Sequence, residues 1–215
     1  MIWVNIIHND LYWVCKHIWH SSDVYLLHSL DWNEHKADVV IFCDACLEGM
    51  GFWYLFITIP TAYYSSTPQR ILPQFIFYYE ALCVLSTLHH TSHILPFSSC
   101  ILIYTDNTNT VNIFYTLCAL PAYNFILRSS VNTLLNTNHQ LWVQYVSSDQ
   151  NGVANSISQH QFGCALTLCP NLHISSFEPP HLPLGAIKKW SCPSSSPSNL
   201  FARLGLMINW IVNAL

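Results

Sequence analysis

The chain has 215 residues, enough for one domain with a substantial core and short extensions. Its apolar content of 52% excludes a disordered chain, because disordered sequences bury too little apolar surface to offset the entropy of ordering. Lys and Arg number 7 against 11 Asp and Glu, so the sequence predicts no basic face of the kind that drives nucleic-acid affinity.

The sequence also lacks the usual membrane and secretion signals. No stretch contains the about 18 unbroken apolar residues that a membrane-spanning helix needs. The amino terminus has neither the cationic segment nor the small-residue cleavage site of a secretory signal, so we expect an intracellular protein of the cytoplasm or nucleus. In that setting the cysteines are expected to be reduced thiols. Cys43 and Cys46 have CxxC spacing, but no second such pair follows, so we interpret them as core residues rather than metal ligands.

The first predicted elements are two strands joined as a hairpin. Residues 37–45 (ADVVIFCDA) form an apolar run rich in Val and Ile, which is typical of a strand buried on both faces, and the run ends at Asp44. The stretch MGFWYLFITI, 50–59, predicts a second strand after a short glycine-containing link. Residues 61–73 are rich in turn formers, and we expect a short third strand near residues 74–77.

A helix and another buried strand follow. Residues 78–90 (YYEALCVLSTLHH) are dense in helix formers, which places Glu80 in the first turn of a helix. Residues 100–106 (CILIYTD) again have the pattern of a buried strand, and this strand ends in the carboxylate of Asp106.

The next segment predicts an amphipathic helix. Val111, Phe114, Tyr115 and Cys118 recur at the spacing i, i+3, i+4 and i+7, behind Asn and Thr residues at 107–110 that suit a helix cap.

The remaining pattern predicts a helix through residues 127–135, a strand at 141–146 and a last short helix from 151 to 158. Taken together, the elements predict an α/β sandwich with a mixed sheet. Its first strands form a meander, and its later strands are joined by parallel crossovers.

Asp44 and Asp106 each close a predicted strand. If the two strands are parallel neighbours, both carboxylates lie at the same carboxyl-end edge, where open α/β sheets place their sites. Close carboxylates repel each other unless a cation lies between them, and Glu80 on the intervening helix offers a third oxygen ligand. Such ligands suit Mg²⁺ or Mn²⁺, and paired ions of this kind assist phosphodiester hydrolysis. The alternative for each acid alone is a turn or helix cap, which the NTNT after Asp106 would suit.

Four motifs in this order resemble the ribonuclease H domain of retroelement reverse transcriptases, with DIRS-like elements the most similar. They are Asp44 in FCDAC, Glu80 in FYYEALCVL, Asp106 in IYTDNTNTV and the block NGVANSIS. The family implies a mixed five-stranded sheet of order 3-2-1-4-5 flanked by helices. It also implies cleavage of the RNA strand of RNA/DNA hybrids with two Mg²⁺ (or Mn²⁺) ions.

The resemblance implies a domain organisation as well. Residues 1–35 resemble a remnant of the connection between polymerase and nuclease, residues 36–162 the ribonuclease H-like domain, and residues 163–189 the linker beyond it. Residues 190–215 begin Ser- and Pro-rich, continue apolar and have no assigned role.

In the family pattern Asp44 would bridge both ions, and Glu80 and Asp106 would complete one site. The fourth acid falls on Asn155, in VANSIS against a pattern resembling VADALSR, and Gln159 stands where that pattern has arginine. An amide oxygen can coordinate a cation but has no net charge to hold a second divalent ion. We therefore expect an impaired two-ion site, and an activity that is weakened or lost.

The resemblance implies an RNA/DNA hybrid as the partner. A separate polymerase fragment is a second candidate partner, because the chain contains no polymerase signature of its own. The alternative function is a catalytically dead interaction domain without a nucleic-acid function, which would use its aromatic surface.

Overall fold

The computed structural model describes residues 8, 11–16, 34–56, 59–67, 76–120 and 123–180. The chain divides into two compact units, Met1–Leu30 and Asp31–Leu215. In the first unit the described residues 11–16 are helical. The predicted tail at 190–215 and most of the predicted connection at 1–35 lie outside the described residues.

The described part of the second unit forms a six-stranded mixed sheet with helices on both sides. The strands are β1 (Val39–Ala45), β2 (Gly49–Phe56), β3 (Ile59–Ser66), β4 (Cys100–Thr105), β5 (Gln140–Tyr145) and β6 (His173–Ser176). The helices are α1 (Ile76–Ser92), α2 (Thr108–Thr116), α3 (Asn124–Thr137), α4 (Gly152–Ser158) and α5 (Phe162–Leu168), and a 3-10 turn at Glu34–Lys36 precedes β1. None of the described helices is long and apolar enough to span a membrane.

The strand order across the sheet is β5-β4-β1-β2-β3-β6. Its first five strands therefore have the predicted order 3-2-1-4-5. β1, β2 and β3 form an antiparallel meander, while β4 and β5 run parallel to β1. β6 pairs in parallel with β3 and adds a sixth strand that the sequence analysis did not predict. This order, these directions and the helix placement are those of a ribonuclease H-like fold, as expected from the resemblance.

Two predicted boundaries before α1 are wrong. The third strand is β3, which begins at Ile59, whereas residues 76 and 77 are the first two residues of α1. The apolar run at 50–59 therefore contains most of β2 and the first residue of β3. The turn was not predicted because an unbroken apolar run carries no period that marks it. The earlier start of α1 also moves Glu80 from the first helical turn to the second.

The predicted helix after Asp106 is present as α2, and its amino-terminal cap is confirmed. The Asn107 side chain accepts a hydrogen bond from the Thr110 backbone N–H at 3.0 Å. The buried apolar face of α2 is narrower than the spacing predicts, because Tyr115 is 73% exposed. Cys118 lies beyond the end of the helix, which terminates at a left-handed Leu117.

The main core lies between the sheet and α1. Alternate residues of β1 and β2 point into it, among them Ile41, Cys43 and Phe52, and each of these is fully buried. α1 packs against this face of the sheet with α3 on its outer side, so most of its residues are buried. A helix in this position needs apolar residues around most of its circumference, which agrees with the largely apolar run at 76–85 in its first half.

α4 packs on the opposite face of the sheet, across β1, β2 and β3. Two glycines of β2 permit this close approach. A Cβ atom at Gly51 would lie 2.5 Å from Ile157 Cγ2 and 2.8 Å from the Ser158 backbone nitrogen, and one at Gly49 would collide with the Ser158 carbonyl oxygen. The absence of side chains at these positions therefore sets how close the carboxyl end of α4 lies to the sheet.

We predict that Gly51→Ala destabilises the fold by about 1–3 kcal/mol, because the added methyl group must push α4 away from β2. Urea denaturation followed by tryptophan fluorescence would measure this change. Gly163→Ala on α5 is the matched control, since no atom lies within 4 Å of its added Cβ. The control should be neutral or stabilising by up to about 1 kcal/mol. Equal stabilities for the two variants would contradict the close packing of α4.

Candidate metal centre

Three acidic side chains meet at one edge of the sheet. Asp44 lies near the end of β1, Asp106 directly follows β4, and Glu80 lies in the second turn of α1. β1 and β4 are adjacent and parallel, so their carboxyl ends reach the same edge. One carboxylate oxygen from each of the three residues lies within 4.8 Å of the others. The predicted convergence of these acids is confirmed.

The burial of Asp44 changes its acidity. Its side chain is only 7% exposed. Loss of hydration raises the pKa of Asp44 from 3.8 to about 6, and repulsion from Asp106 adds to the rise. A hydrogen bond from the Ser158 hydroxyl to Asp44 Oδ2 acts in the opposite direction. The carboxylate is thus held in a place that disfavours its charge.

Glu80 is in a similar environment, with 5% of its surface exposed. Burial raises the pKa of Glu80 well above 4.5, and repulsion from Asp44 is the second cause. Its Oε2 atom is buried and has no hydrogen-bond partner among the described residues. A buried carboxylate oxygen without a partner carries a large desolvation penalty, which a bound cation would offset.

Two serines orient the aspartates. Ser158, at the end of α4, donates to Asp44, and Ser148, in the loop after β5, donates to Asp106 Oδ2 at 2.6 Å. Neither serine was singled out from the sequence. Ser158 lies within the NGVANSIS block that carries the resemblance, whereas Ser148 lies in a loop whose sequence has no distinguishing pattern.

Asn155 lies next to the three acids, and its side chain is an uncharged amide. Its Nδ2 atom donates to the Ser148 carbonyl oxygen at 3.3 Å, and Ser148 in turn contacts Asp106. Its Oδ1 atom is buried without a hydrogen-bond partner among the described residues. The amide is therefore fixed through its nitrogen, and its oxygen is left as an acceptor.

The donor set fits a hard divalent cation. All three charged groups are carboxylates, which are the ligands that Mg²⁺ and Mn²⁺ take in proteins. Their mutual repulsion and the unpartnered Glu80 oxygen are both relieved by positive charge at this place. Of the two cysteines interpreted as core residues, Cys43 lies fully buried in the main core, whereas Cys46 is only partly buried and belongs to neither core cluster.

Comparison with known proteins gives structural neighbours at low sequence identity. No protein-family model matches the chain, and no curated protein matches it significantly. A solved structure of RNase H1 from the halophilic archaeon Halobacterium salinarum NRC-1 aligns with a TM-score of 0.41 at 9% identity, over 58% of this chain and 97% of the other. A prototype foamy virus protease-reverse transcriptase aligns with a TM-score of 0.43 at 12% identity, over 66% of this chain and 23% of the viral one. The ribonuclease H-like fold of this chain rests on its own strand order and directions.

Proposed function

We propose that this chain is a ribonuclease H-like domain derived from a retroelement reverse transcriptase. In this proposal it binds a divalent metal ion, Mg²⁺ or Mn²⁺, and hydrolyses the RNA strand of RNA/DNA hybrids at a strongly reduced rate. The observation that carries the proposal is the group formed by Asp44, Glu80 and Asp106, whose oxygens lie within 4.8 Å of one another at the carboxyl end of parallel strands.

Each residue of the group has a part in this proposal. Asp44, Glu80 and Asp106 would hold the cation, and a cation there would supply Lewis-acid stabilisation of the charge that develops on phosphodiester oxygens. Ser158 keeps one oxygen of Asp44 in a hydrogen bond, and Ser148 does the same for Asp106. Each aspartate is thereby held in one orientation, as catalytic geometry requires.

Asn155 accounts for the reduced rate. It takes the place of the fourth family acid, and its buried Oδ1 atom is an oxygen ligand without charge. A second divalent ion near the first must overcome the repulsion between the two ions, and a carboxylate offsets that repulsion far better than an amide does. We therefore expect the second ion to bind weakly.

The shortage of positive charge points to weak substrate binding. In the described part of the second unit, Lys36 and Arg128 are the only Lys or Arg residues. A nuclease surface normally neutralises several phosphates, and each such contact adds affinity through counterion release.

An interaction domain without nucleic-acid function is the second candidate. A specific observation favours it: Tyr115, Leu117 and Leu120 after Asp106 are 73%, 45% and 63% exposed. Where exposed apolar side chains such as these form one contiguous patch, the patch is typical of a protein-binding surface. This candidate predicts no metal-dependent cleavage from the chain or from any variant with the fourth acid restored.

We predict that Asn155→Asp raises the cleavage rate about a hundredfold in Mg²⁺, because it restores a charged ligand for the second ion. The measurement is cleavage of a hybrid labelled on its RNA strand. Mn²⁺, which binds such ligands more tightly, should partly restore activity to the unmodified chain.

The control for this assay is the double variant Asp44→Asn, Asn155→Asp, which should be inactive because the first site is lost. An unmodified chain that cleaves as fast as Asn155→Asp would show that the fourth ligand lies elsewhere. Inactivity of both proteins in Mg²⁺ and Mn²⁺ would favour the interaction domain.

We predict that Asp44→Asn stabilises the metal-free protein at about pH 7.5 by about 1–3 kcal/mol. Because the folded-state pKa of Asp44 is raised to about 6, its contribution to stability is present below about pH 4 and is lost as the pH rises through about 6. The neutral amide removes this loss, so the advantage of the variant should disappear at about pH 4.

Urea denaturation at both pH values would measure this effect. Mg²⁺ or Mn²⁺ should stabilise the unmodified protein at about pH 7.5 and should not stabilise Asp44→Asn, because the variant lacks a charged ligand. A variant that is less stable than the unmodified protein at about pH 7.5 would contradict the predicted effect of pH. A variant that still gains stability from metal would contradict the predicted role of Asp44 as a ligand.

We predict weak binding of hybrids with a shallow salt dependence. The seven Lys and Arg residues of the whole chain limit the slope of log affinity against log salt concentration to about −6, and we expect a much smaller magnitude. Fluorescence anisotropy with a labelled hybrid over a range of salt concentrations would measure it. Tight binding at physiological salt would show that the surface neutralises phosphates by means other than Lys and Arg.

A further inference from the structure

We propose that Asn151 is a positioning residue for the metal centre, joining the strand that carries Asp44 to the loop and helix that carry Ser148 and Asn155. The inference rests on the proposed function, since it assigns a role in building that site. The hydrogen bonds of Asn151 are made to neighbours of the three acids and not to the carboxylates themselves.

The side chain of Asn151 is hydrogen-bonded to β1 at the residue that precedes Asp44. Asn151 is completely buried. Its Nδ2 atom donates to the carbonyl oxygen of Cys43 at 3.0 Å, and Cys43 immediately precedes Asp44 on β1. This is a long-range contact, made across 108 residues of sequence. It ties the start of α4 to the end of the strand on which the centre is built.

The backbone of Asn151 is hydrogen-bonded to the loop that carries Ser148 and to Asn155 on α4. Its N–H donates to the carbonyl oxygens of Ser147 and Ser148, each at 3.1 Å, and its carbonyl oxygen accepts from the Asn155 N–H at 3.0 Å. Ser148 contacts Asp106 through its hydroxyl, and Asn155 contacts Ser148 through its amide. One buried residue therefore connects the β1 backbone with the hydrogen bonds that orient Asp106 and Asn155.

The chemistry of the position favours asparagine. The Cys43 carbonyl oxygen needs a donor, which an ionised aspartate cannot supply. An aspartate would also bury a further negative charge against the strand that carries Asp44, whose pKa is already raised by burial. Alanine would remove the connection and leave the carbonyl oxygen without this donor.

The test compares Asn151→Ala with a core variant of equal stability. Leu88 is suited to this comparison because it is fully buried on α1, eight residues beyond Glu80 and so about 12 Å along the helix axis. Whichever of Leu88→Val and Leu88→Ala matches the melting temperature of Asn151→Ala serves as the control. Should Asn151→Ala fail to fold, Asn151→Ser takes its place, and the control is matched to that variant.

Two measurements are made on the metal-free, folded proteins. Calorimetric titration with Mn²⁺ should show affinity about tenfold lower in Asn151→Ala than in the control, because partners that orient ligands typically change affinity by at least this factor. Hydrogen–deuterium exchange should be faster in the peptides covering residues 147–158 of the variant and unchanged there in the control.

Equal Mn²⁺ affinities in variant and control would overturn the inference, even if exchange is faster, since Asn151 would then be structural only. Equal rates of hydrogen–deuterium exchange at residues 147–158 in variant and control would show that Asn151 does not hold the loop and α4 to β1. The proposed function fails differently: the unmodified protein would then bind no Mn²⁺, or would bind it equally well after Asp44→Asn. In that case the exchange comparison still decides whether Asn151 holds the loop and α4 to β1.

Discussion

The mutual repulsion of Asp44, Glu80 and Asp106 is the constraint around which this end of the sheet is arranged. Three carboxylates with oxygens within 4.8 Å of one another, two of them nearly inaccessible to water, are unfavourable for a metal-free fold. Residues of the main core flank Asp44 and Glu80 in sequence, and the favourable free energy of core packing offsets the cost of holding the carboxylates together. Sites that bind or react commonly contain unfavourable charge of this kind, which the rest of the fold must tolerate.

The packing around the centre serves its geometry. β2 lacks side chains at Gly49 and Gly51, which allows α4 to approach until Ser158 reaches Asp44. On the opposite face, α1 brings Glu80 to the same edge from within the main core. The two layers of helices thus supply different parts of one site, and the parallel pair β1 and β4 supplies the edge on which they meet. A shift of either layer by about 1 Å would disturb the three carboxylate oxygens that a bound metal ion would contact together.

The sequence predicted the parts of the fold that have a clear period or a clear boundary. The buried strands β1 and β4 were predicted because apolar β-formers are followed by a carboxylate, Asp44 or Asp106, and the parallel pairing of the strands places the two acids at one edge. β3 was misplaced because its start is hidden in an unbroken apolar run. β6 was missed because HISS, from His173 to Ser176, is short and polar, and it becomes a strand only by pairing with the edge of β3. Long-range contacts such as that of Asn151 with Cys43 leave no local pattern at all.

Asparagine at position 155, where the proposed function expects a fourth acid, has a physical consequence that is independent of catalysis. A carboxylate at Asn155 would add a fourth negative charge to a group in which burial and repulsion already raise the pKa of Asp44 and Glu80. The amide keeps an oxygen at that place and gains a hydrogen bond to Ser148 without adding to the repulsion. A metal-free fold is therefore more stable with asparagine than with aspartate at this position, whereas a two-ion nuclease needs the acid. An acid at this position would therefore be tolerated only where bound cations offset the added charge.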